Sequence, residues 1–273
     1  MGGPARDPVV DKLDEVWTSL ADACEDLSPE EWDLPTDCPG WTVRDQLSHV
    51  IGIELELLGE PPPPGDGVDR PHVKNDFAAR NETWVEARRA RPGSQVLQEF
   101  RQVTARRLDV LASMPETAFD EIGWSPVGQV PYRVFMEVRV FDSWVHEQDV
   151  RWAVGRPGGL GGAGEAVTLD RMIGAMGYVV GRKVAPPDGT VVVWRIGGRV
   201  GRELVVVMEG GRGTTPSSTP AGPTVVLTLD PDTFWRLSCG RTTAGEVLAT
   251  GDVAVTGDAT LGRRVLEAMV VTP

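Results

Sequence analysis

The stretch FDSWVHEQD (141–149) places Asp142 four residues before His146. On a helix this spacing stacks two side chains on one face, one turn apart, where they can share an ion. His49 lies in a second segment of helical periodicity, at the edge of its apolar stripe. Two imidazole nitrogens and one carboxylate are suitable ligands for Zn²⁺ or a similar divalent ion. Three protein ligands leave a position open for water or substrate, which is a catalytic arrangement rather than a structural one. The same residues admit plainer readings. An Asp and a His four apart on a helix also make a surface pair, and His49 alone also suits a hydrogen-bonded histidine at a core edge. The chain has three histidines, and two of them sit at stripe edges. The third, His72 in RPHVKN, reads as a solvated loop residue. Asp149, one further turn along the His146 face, would orient the imidazole or sit in solvent.

Four principal helices must position these groups. The first runs from about Pro8 to Leu27, with Val9, Leu13, Trp17 and Leu20 at helical spacing. Ser28-Pro29-Glu30-Glu31 is a capping box with Pro at the first helical position, and opens a short turn. Thr42-Val43-Arg44-Asp45 starts the next helix, to about Gly59, with Val43, Leu47, Val50, Leu57 and Leu58 as its buried stripe. A further helical region covers about Asn75 to Arg91, and Ser94 begins another to about Ser113. The stretch 115–130 reads as a loop. Pro131 opens the last helix, to about Gly155, with Val134, Val138, Phe141 and Val145 as its core stripe. Helices joined by loops in this way suggest an antiparallel bundle.

Beyond it, GRPGGLGGAGEA (155–166) reads as a flexible Gly-rich linker. Two domains are expected, a helical one over 1–157 and an α+β one over 163–273. The second reads as a helix over 163–180, strands near 190–197, 202–209 and 223–229, a helix from Asp230, a strand near 252–256 and a helix from Ala259. GGRG (210–213) followed by TTPSSTP reads as a hairpin connection. Neither a G-x-G-x-x-G after a strand nor a phosphate-binding G-x-x-x-x-G-K occurs, so no nucleotide site is indicated.

The 273 residues carry a formal charge of −13, unevenly spread. Residues 1–155 hold 29 acidic and 15 basic groups, whereas 156–273 are nearly neutral. An acidic surface repels a phosphate backbone and anionic membranes, so neither nucleic acid nor a membrane is an expected partner. No run of about 18 apolar residues suggests a membrane span, and MGGPARDPVV lacks a signal peptide's apolar core. Three scattered cysteines (Cys24, Cys38, Cys239) do not make a disulfide framework and point to a reducing cytoplasm.

Four stretches carry a family resemblance. TDCPGWTVRDQLSHVIGIELELLGE (36–60) and FDSWVHEQDVRWAVGRPG (141–158) resemble the signatures of the mycothiol-dependent maleylpyruvate isomerase family, which are DinB-like metal-binding four-helix bundles. LTLDPDTFWRLSCGR (227–241) and VTGDATLGRRVLEAMVV (255–271) resemble the sterol-carrier-like α+β domain often fused to that bundle. The resemblance implies a DinB-like four-helix bundle followed by a small sterol-carrier-like domain. It implies a divalent ion, usually zinc, held by His49, Asp142 and His146, and mycothiol, the small thiol of actinobacteria, as cosubstrate. The family pattern has Glu where this chain has Asp142, which leaves metal binding in place and puts the maleylpyruvate activity itself in question.

A cation favours thiolate over thiol, so a metal-bound thiol would attack an electrophilic carbon. It would add and leave in an isomerase, and stay attached in an S-transferase. Cys38 reads as a turn residue beside Pro39-Gly40 and Cys239 as a core residue, so the thiol is expected to be external and the other partner a small electrophile. Arg241, in SCGR, is the candidate for reaching an anionic substrate from the second domain, with a helix C-cap as its plainer role. Arg139 and Arg151 are weaker candidates, and Arg139 also suits pairing with nearby acidic groups. A second reading of the whole chain is a noncatalytic module, with a metal-stabilised bundle and a sterol-carrier-like domain that holds a small apolar ligand.

Overall fold

Asp7 accepts a hydrogen bond from the Val9 amide and opens α1 (Pro8–Ala23), whose Val9, Leu13, Trp17 and Leu20 are all buried. The protein's structure is a computed structural model that describes residues 7–64, 70–216, 220 and 222–272. The capping box at Ser28 is present and starts α2 (Pro29–Trp32). At Thr42 the amide donates to Asp45 Oδ2 at 3.0 Å, and α3 (Val43–Leu57) begins there. Then follow α4 (Asp76–Glu86), α5 (Gly93–Ser113), a 3₁₀ turn (Glu116–Asp120) and α6 (Tyr132–Ala153). The stretch expected as a loop also holds a hairpin of β1 (Ile122–Ser125) and β2 (Gly128–Pro131). Its Trp124 and Ile122 are exposed, so no apolar alternation marked it. Among the described residues no helix is long and apolar enough to cross a membrane.

Helix α1 packs on α5 and α6, and α3 packs on α4, α5 and α6, so the four long helices close a ring. The direction of each is read from its pairs. Lys12, Trp17 and Ser19 meet Glu137, Ser143 and Glu147 in rising order, so α1 and α6 are parallel. Gln46, His49 and Glu54 meet His146, Asp142 and Arg139, so α3 and α6 are antiparallel. The simple antiparallel alternation suggested by the sequence fails because α4 lies in the connection from α3 to α5. That length lets α5 start, like α3, at the Trp32 end.

The expected stripes hold for α1 and differ on α3 and α6. Leu57 and Leu58 are half-buried, and Ile51 and Leu55 take their place in the core. On α6, Val134 and Phe141 are half-buried while Met136 and Val140 are fully buried. Helix α6 packs on α1 and α3, and its Trp144 and Gln148 also meet the 158–159 segment, so from Ser143 to Val150 it is buried on every face. A helix enclosed this way has no single apolar stripe to read.

A β-carbon on Gly52 of α3 would stand 2.4 Å from Trp84 of α4. We expect Gly52→Ala to destabilise the bundle by about 1–3 kcal/mol through overpacking, against a helix-propensity gain of only about 1 kcal/mol. A urea midpoint equal to or above wild type would show that α4 yields freely.

The chain divides into two compact units, Met1–Val167 and Thr168–Pro273, and the division falls inside α7 (Ala163–Tyr178). The stretch expected as a flexible linker is tied down within the first unit. The Trp144 indole donates to the Gly159 carbonyl at 2.7 Å, and the Ala163 amide to Glu15 Oε1 at 2.8 Å.

The second unit is built on a five-stranded sheet of β3 (Val191–Ile196), β4 (Arg202–Glu209), β5 (Arg212–Thr214), β6 (Val225–Leu229) and β7 (Val253–Gly257), in the order β5-β4-β3-β6-β7. Only the β3–β6 pair is parallel, and Trp194 stands opposite Leu204 on one side and Leu227 on the other. Val191, Val193, Val205, Val207 and Val226 form a buried cluster on the sheet. Helices α8 (Pro231–Ser238), α9 (Ala244–Thr250) and α10 (Ala259–Ala268) follow the strands. Gly210 and Gly211 make the β4–β5 turn, as the sequence suggests, while 217–219 of the TTPSSTP stretch lie outside the described residues. The fold is thus a helical bundle followed by a small α+β unit.

Candidate metal centre

Helices α3 and α6 bring His49, Asp142 and His146 together, with one donor atom from each within 4.8 Å of the others. His49 Nε2 lies 3.3 Å and 3.4 Å from the two Asp142 oxygens, and His146 Nε2 lies 3.7 Å from Oδ1. Around a tetrahedral ion with bonds of about 2.0–2.1 Å, neighbouring donors stand roughly 3.3 Å apart. The shorter Asp142 side chain therefore still meets both imidazoles. Both histidines are buried, and Asp142, with its side chain 24 % exposed, is the open member of the three.

The surrounding groups set the protonation of the donors. Gln46, one turn before His49 and fully buried, accepts from His146 Nδ1 at 2.6 Å. Its own amide donates to the Thr36 hydroxyl at 2.6 Å, which in turn donates to the Trp41 carbonyl. The Nδ1 proton of His146 is thereby committed, and the Nε2 lone pair faces Asp142. Asp149 is not solvated: it is fully buried, and its Oδ2 lies 3.4 Å from the same Nδ1. Burial pushes the Asp142 carboxyl up, but Arg139 and the two imidazoles outweigh this and hold it well below the carboxylate range. Burial pushes His49 down. It acts the same way on His146, where Asp142 and Asp149 overcome it and leave that imidazole above its ordinary value.

Arg139 donates from Nη1 to Asp142 Oδ2 at 2.7 Å and from Nε to Glu54 Oε1 at 2.7 Å. Glu54 also meets Arg107 Nε at 3.2 Å. The chain Arg107–Glu54–Arg139–Asp142 alternates in sign, so burying it leaves no net charge. Arg151 pairs instead with Glu147, at 2.7 Å, and with Ser19. Arg241 belongs to the second unit, where its Nη1 donates to the Cys239 carbonyl at the end of α8.

Reading the sequence missed several groups. Gln46 is three residues before His49, a helical spacing that places it on the same face. Glu54 and Arg107 carried no signal, because a single charged residue on a helix reads as solvated. His72, expected in solvent, donates to buried Glu82 at 2.9 Å. Cys38 sits in a turn as expected, yet its thiol falls in a second cluster with His146 and Asp149, whose donor atoms also lie within 4.8 Å of one another.

The donor set fits a divalent ion. It offers two imidazole nitrogens and one carboxylate, the His146 tautomer is fixed from behind, and a coordination position is left over. Gln46→Leu is expected to weaken divalent-metal binding about 10–100-fold, as loss of a ligand's supporting hydrogen bond does. Gln46→Glu, which keeps an acceptor, is expected to retain most of the affinity. Competition against a chromophoric chelator measures both, and wild-type affinity in the Leu variant would refute the role.

Comparison with known proteins extends these observations. No curated protein matches the chain. Among solved structures, the crystal structure of a mycothiol-dependent maleylpyruvate isomerase aligns with TM-score 0.55 and 16 % identity, over 91 % of this chain and 93 % of that one. A variant of that isomerase with one histidine changed to alanine aligns with TM-score 0.53, the same identity and the same coverage. At this identity the likeness is one of fold. The sterol-transfer family model SCP-2 matches residues 180–269, the sheet-bearing unit. The model of the mycothiol maleylpyruvate isomerase N-terminal domain matches residues 13–151, more than half of the chain and all three helix positions that carry His49, Asp142 and His146. The chain therefore belongs to the mycothiol maleylpyruvate isomerase family.

Proposed function

We propose that this protein is a divalent-metal- and mycothiol-dependent enzyme that adds the thiol to an electrophilic small molecule. The observation that carries the reading is the convergence of His49, Asp142 and His146 on one buried point between α3 and α6. When bound there, a divalent ion such as Zn²⁺ supplies the positive charge that keeps a thiol deprotonated near neutral pH.

The chain's own residues do the rest. Gln46 and Asp149 hold His146 by its Nδ1 edge. Arg139 anchors Asp142 and keeps it ionised. Both histidines are buried, so a nucleophile held against them is less solvated than in bulk water and more reactive. Arg241 is proposed as the cation that meets a substrate carboxylate. The addition is reversible: if the thiol leaves after rotation about the former double bond the outcome is isomerisation, and if it stays the outcome is transfer. The fold match to a protein described as a mycothiol-dependent maleylpyruvate isomerase favours the first.

The deciding assay presents the Zn²⁺-loaded protein with mycothiol and either maleylpyruvate or unrelated electrophiles. Isomerisation of maleylpyruvate without consumption of thiol supports the isomerase, and stable adducts support the transferase. Metal-loaded protein that neither binds mycothiol nor turns over any electrophile with it would overturn the proposal.

A further inference from the structure

Trp41 is not a metal-site donor, yet its ring stands against two of the three. The indole centroid lies 5.0 Å from the His49 ring and 5.7 Å from the His146 ring, tilted 39° to each. The turn that presents it is closely specified. The Thr36 amide donates to the Trp41 carbonyl at 3.0 Å and the Trp41 amide to the Cys38 carbonyl at 3.1 Å. Gly40 between them has φ +81°, and a β-carbon there would come within 2.2 Å of the His72 ring.

The far edge of the indole is fixed as well. Its N–H donates to Glu82 Oε2 at 2.8 Å. Glu82 is fully buried and is also met by His72 Nε2 at 2.9 Å, Arg89 Nη2 at 2.8 Å and Arg70 Nε at 3.2 Å. Four donors from the Trp41 turn, the 70–72 segment and the turn after α4 thus converge on one carboxylate. Burying a carboxylate needs this many partners. The cluster meets the site side through the indole, and Arg89 also reaches Asp45 at the start of α3 at 3.4 Å.

We propose that Trp41 is the wall of the thiol-binding pocket and that Glu82 is the residue that positions it. This rests on the metal and thiol reading above. The indole stands against both imidazoles that converge with Asp142, so a thiolate held there would be within reach of its ring, and sulfur against an aromatic ring is a favourable contact. Trp41 is itself half-buried, so the wall needs a fixed edge to keep its place.

The test uses the full chain loaded with Co²⁺, titrated with N-acetylcysteine and followed by the cobalt d–d bands and the sulfur-to-cobalt charge-transfer band. The variants are Trp41→Ala, which removes the wall, and Trp41→Phe and Glu82→Leu, which remove the donor and the acceptor of the same hydrogen bond. All are expected to bind one cobalt per chain. Thiol affinity should fall about 2–10-fold in Trp41→Ala, the range of a lost sulfur–aromatic contact, and by a smaller factor in the other two. The double variant Trp41→Phe/Glu82→Leu should be no weaker than the worse single one, because both act through one bond. Trp41→Phe leaves His72, Arg89 and Arg70 on Glu82, so it gives an answer even if Glu82→Leu fails to fold. Wild-type protein that shows both bands, with unchanged thiol affinity in Trp41→Ala, overturns the wall and leaves the metal reading standing. Absence of cobalt bands in the wild type overturns both. Additive losses in the double variant, or a Trp41→Phe variant identical to wild type, overturn the positioning role of Glu82.

Discussion

His49→Ala is expected to abolish stoichiometric binding of a divalent ion, and with it thiol-dependent turnover. One imidazole is lost from a set of three protein donors, and the remaining Asp142 and His146 both come from one helix, so nothing then ties the ion to α3. The loss should exceed the roughly 10–100-fold associated with an outer hydrogen-bond partner. Acid should act in the same direction, because an ion and a proton compete for the same lone pair. Burial keeps His49 neutral to lower pH than an ordinary imidazole. Asp142 and Asp149 overcome the same burial effect at His146, so its proton competes from a higher pH. Of the two imidazoles, His146 should therefore be the one whose protonation first opposes the ion as pH falls. In metal-free protein the stability signs are opposite. The raised His146 contributes stability that is full below its unfolded pKa and fades as pH rises through its folded one. His49, being lowered, opposes folding at acid pH. Metal content after dialysis, measured across pH for wild type and His49→Ala, checks both statements. A His49→Ala chain that retains one ion at neutral pH would exclude His49 as a ligand.

How much of this was legible in the sequence depends on what each residue's neighbours are. Ser28, Thr42, Asp230 and Asp258 mark helix starts through contacts two or three residues away, and each caps its helix as local chemistry requires. Asp142 and His146 were visible because one helix turn relates them. Bringing His49 to them needs the packing of α3 on α6, which the spacing alone does not specify and the family resemblance supplied. Three things stayed hidden for a common reason. The parallel pairing of α1 with α6, the burial of α6 on all faces and the Glu82 cluster are each made by segments far apart in the chain. Trp41 meets Glu82 forty-one positions away, and no local pattern distinguishes that glutamate from a solvated one. The same holds for Arg139. Its two readings, substrate cation and partner of nearby acids, separate only when Glu54 is seen 2.7 Å from its Nε.

Glu54→Ala is expected to be among the most destabilising single changes in the bundle, at about 3–5 kcal/mol, the range for removing one partner of a buried ion pair. Glu54 is fully buried, and Arg107 and Arg139 are 1 % and 4 % exposed. Without the carboxylate, two guanidinium groups lie in the core, Arg139 keeping Asp142 and Arg107 keeping, among the described residues, the Tyr132 hydroxyl and the Met136 sulfur. That loss is large against the roughly 5–15 kcal/mol that holds a domain together. Urea unfolding followed by far-ultraviolet circular dichroism, where the helices dominate the signal, measures it, and a loss under about 1 kcal/mol would show that water or a rotated side chain satisfies the arginines. Replacing the buried network with apolar residues of similar volume, as in Arg107→Met/Glu54→Leu/Arg139→Met, should recover much of the stability, since buried ion networks are often no better than well-packed hydrophobic ones. The same triple variant takes Arg139 from Asp142, whose carboxylate then loses the 2.7 Å contact that fixes its oxygens toward the two imidazoles. A chain that is stable yet binds the ion more weakly than wild type is the expected outcome. It would mean that the network is retained for the position of Asp142 rather than for the fold.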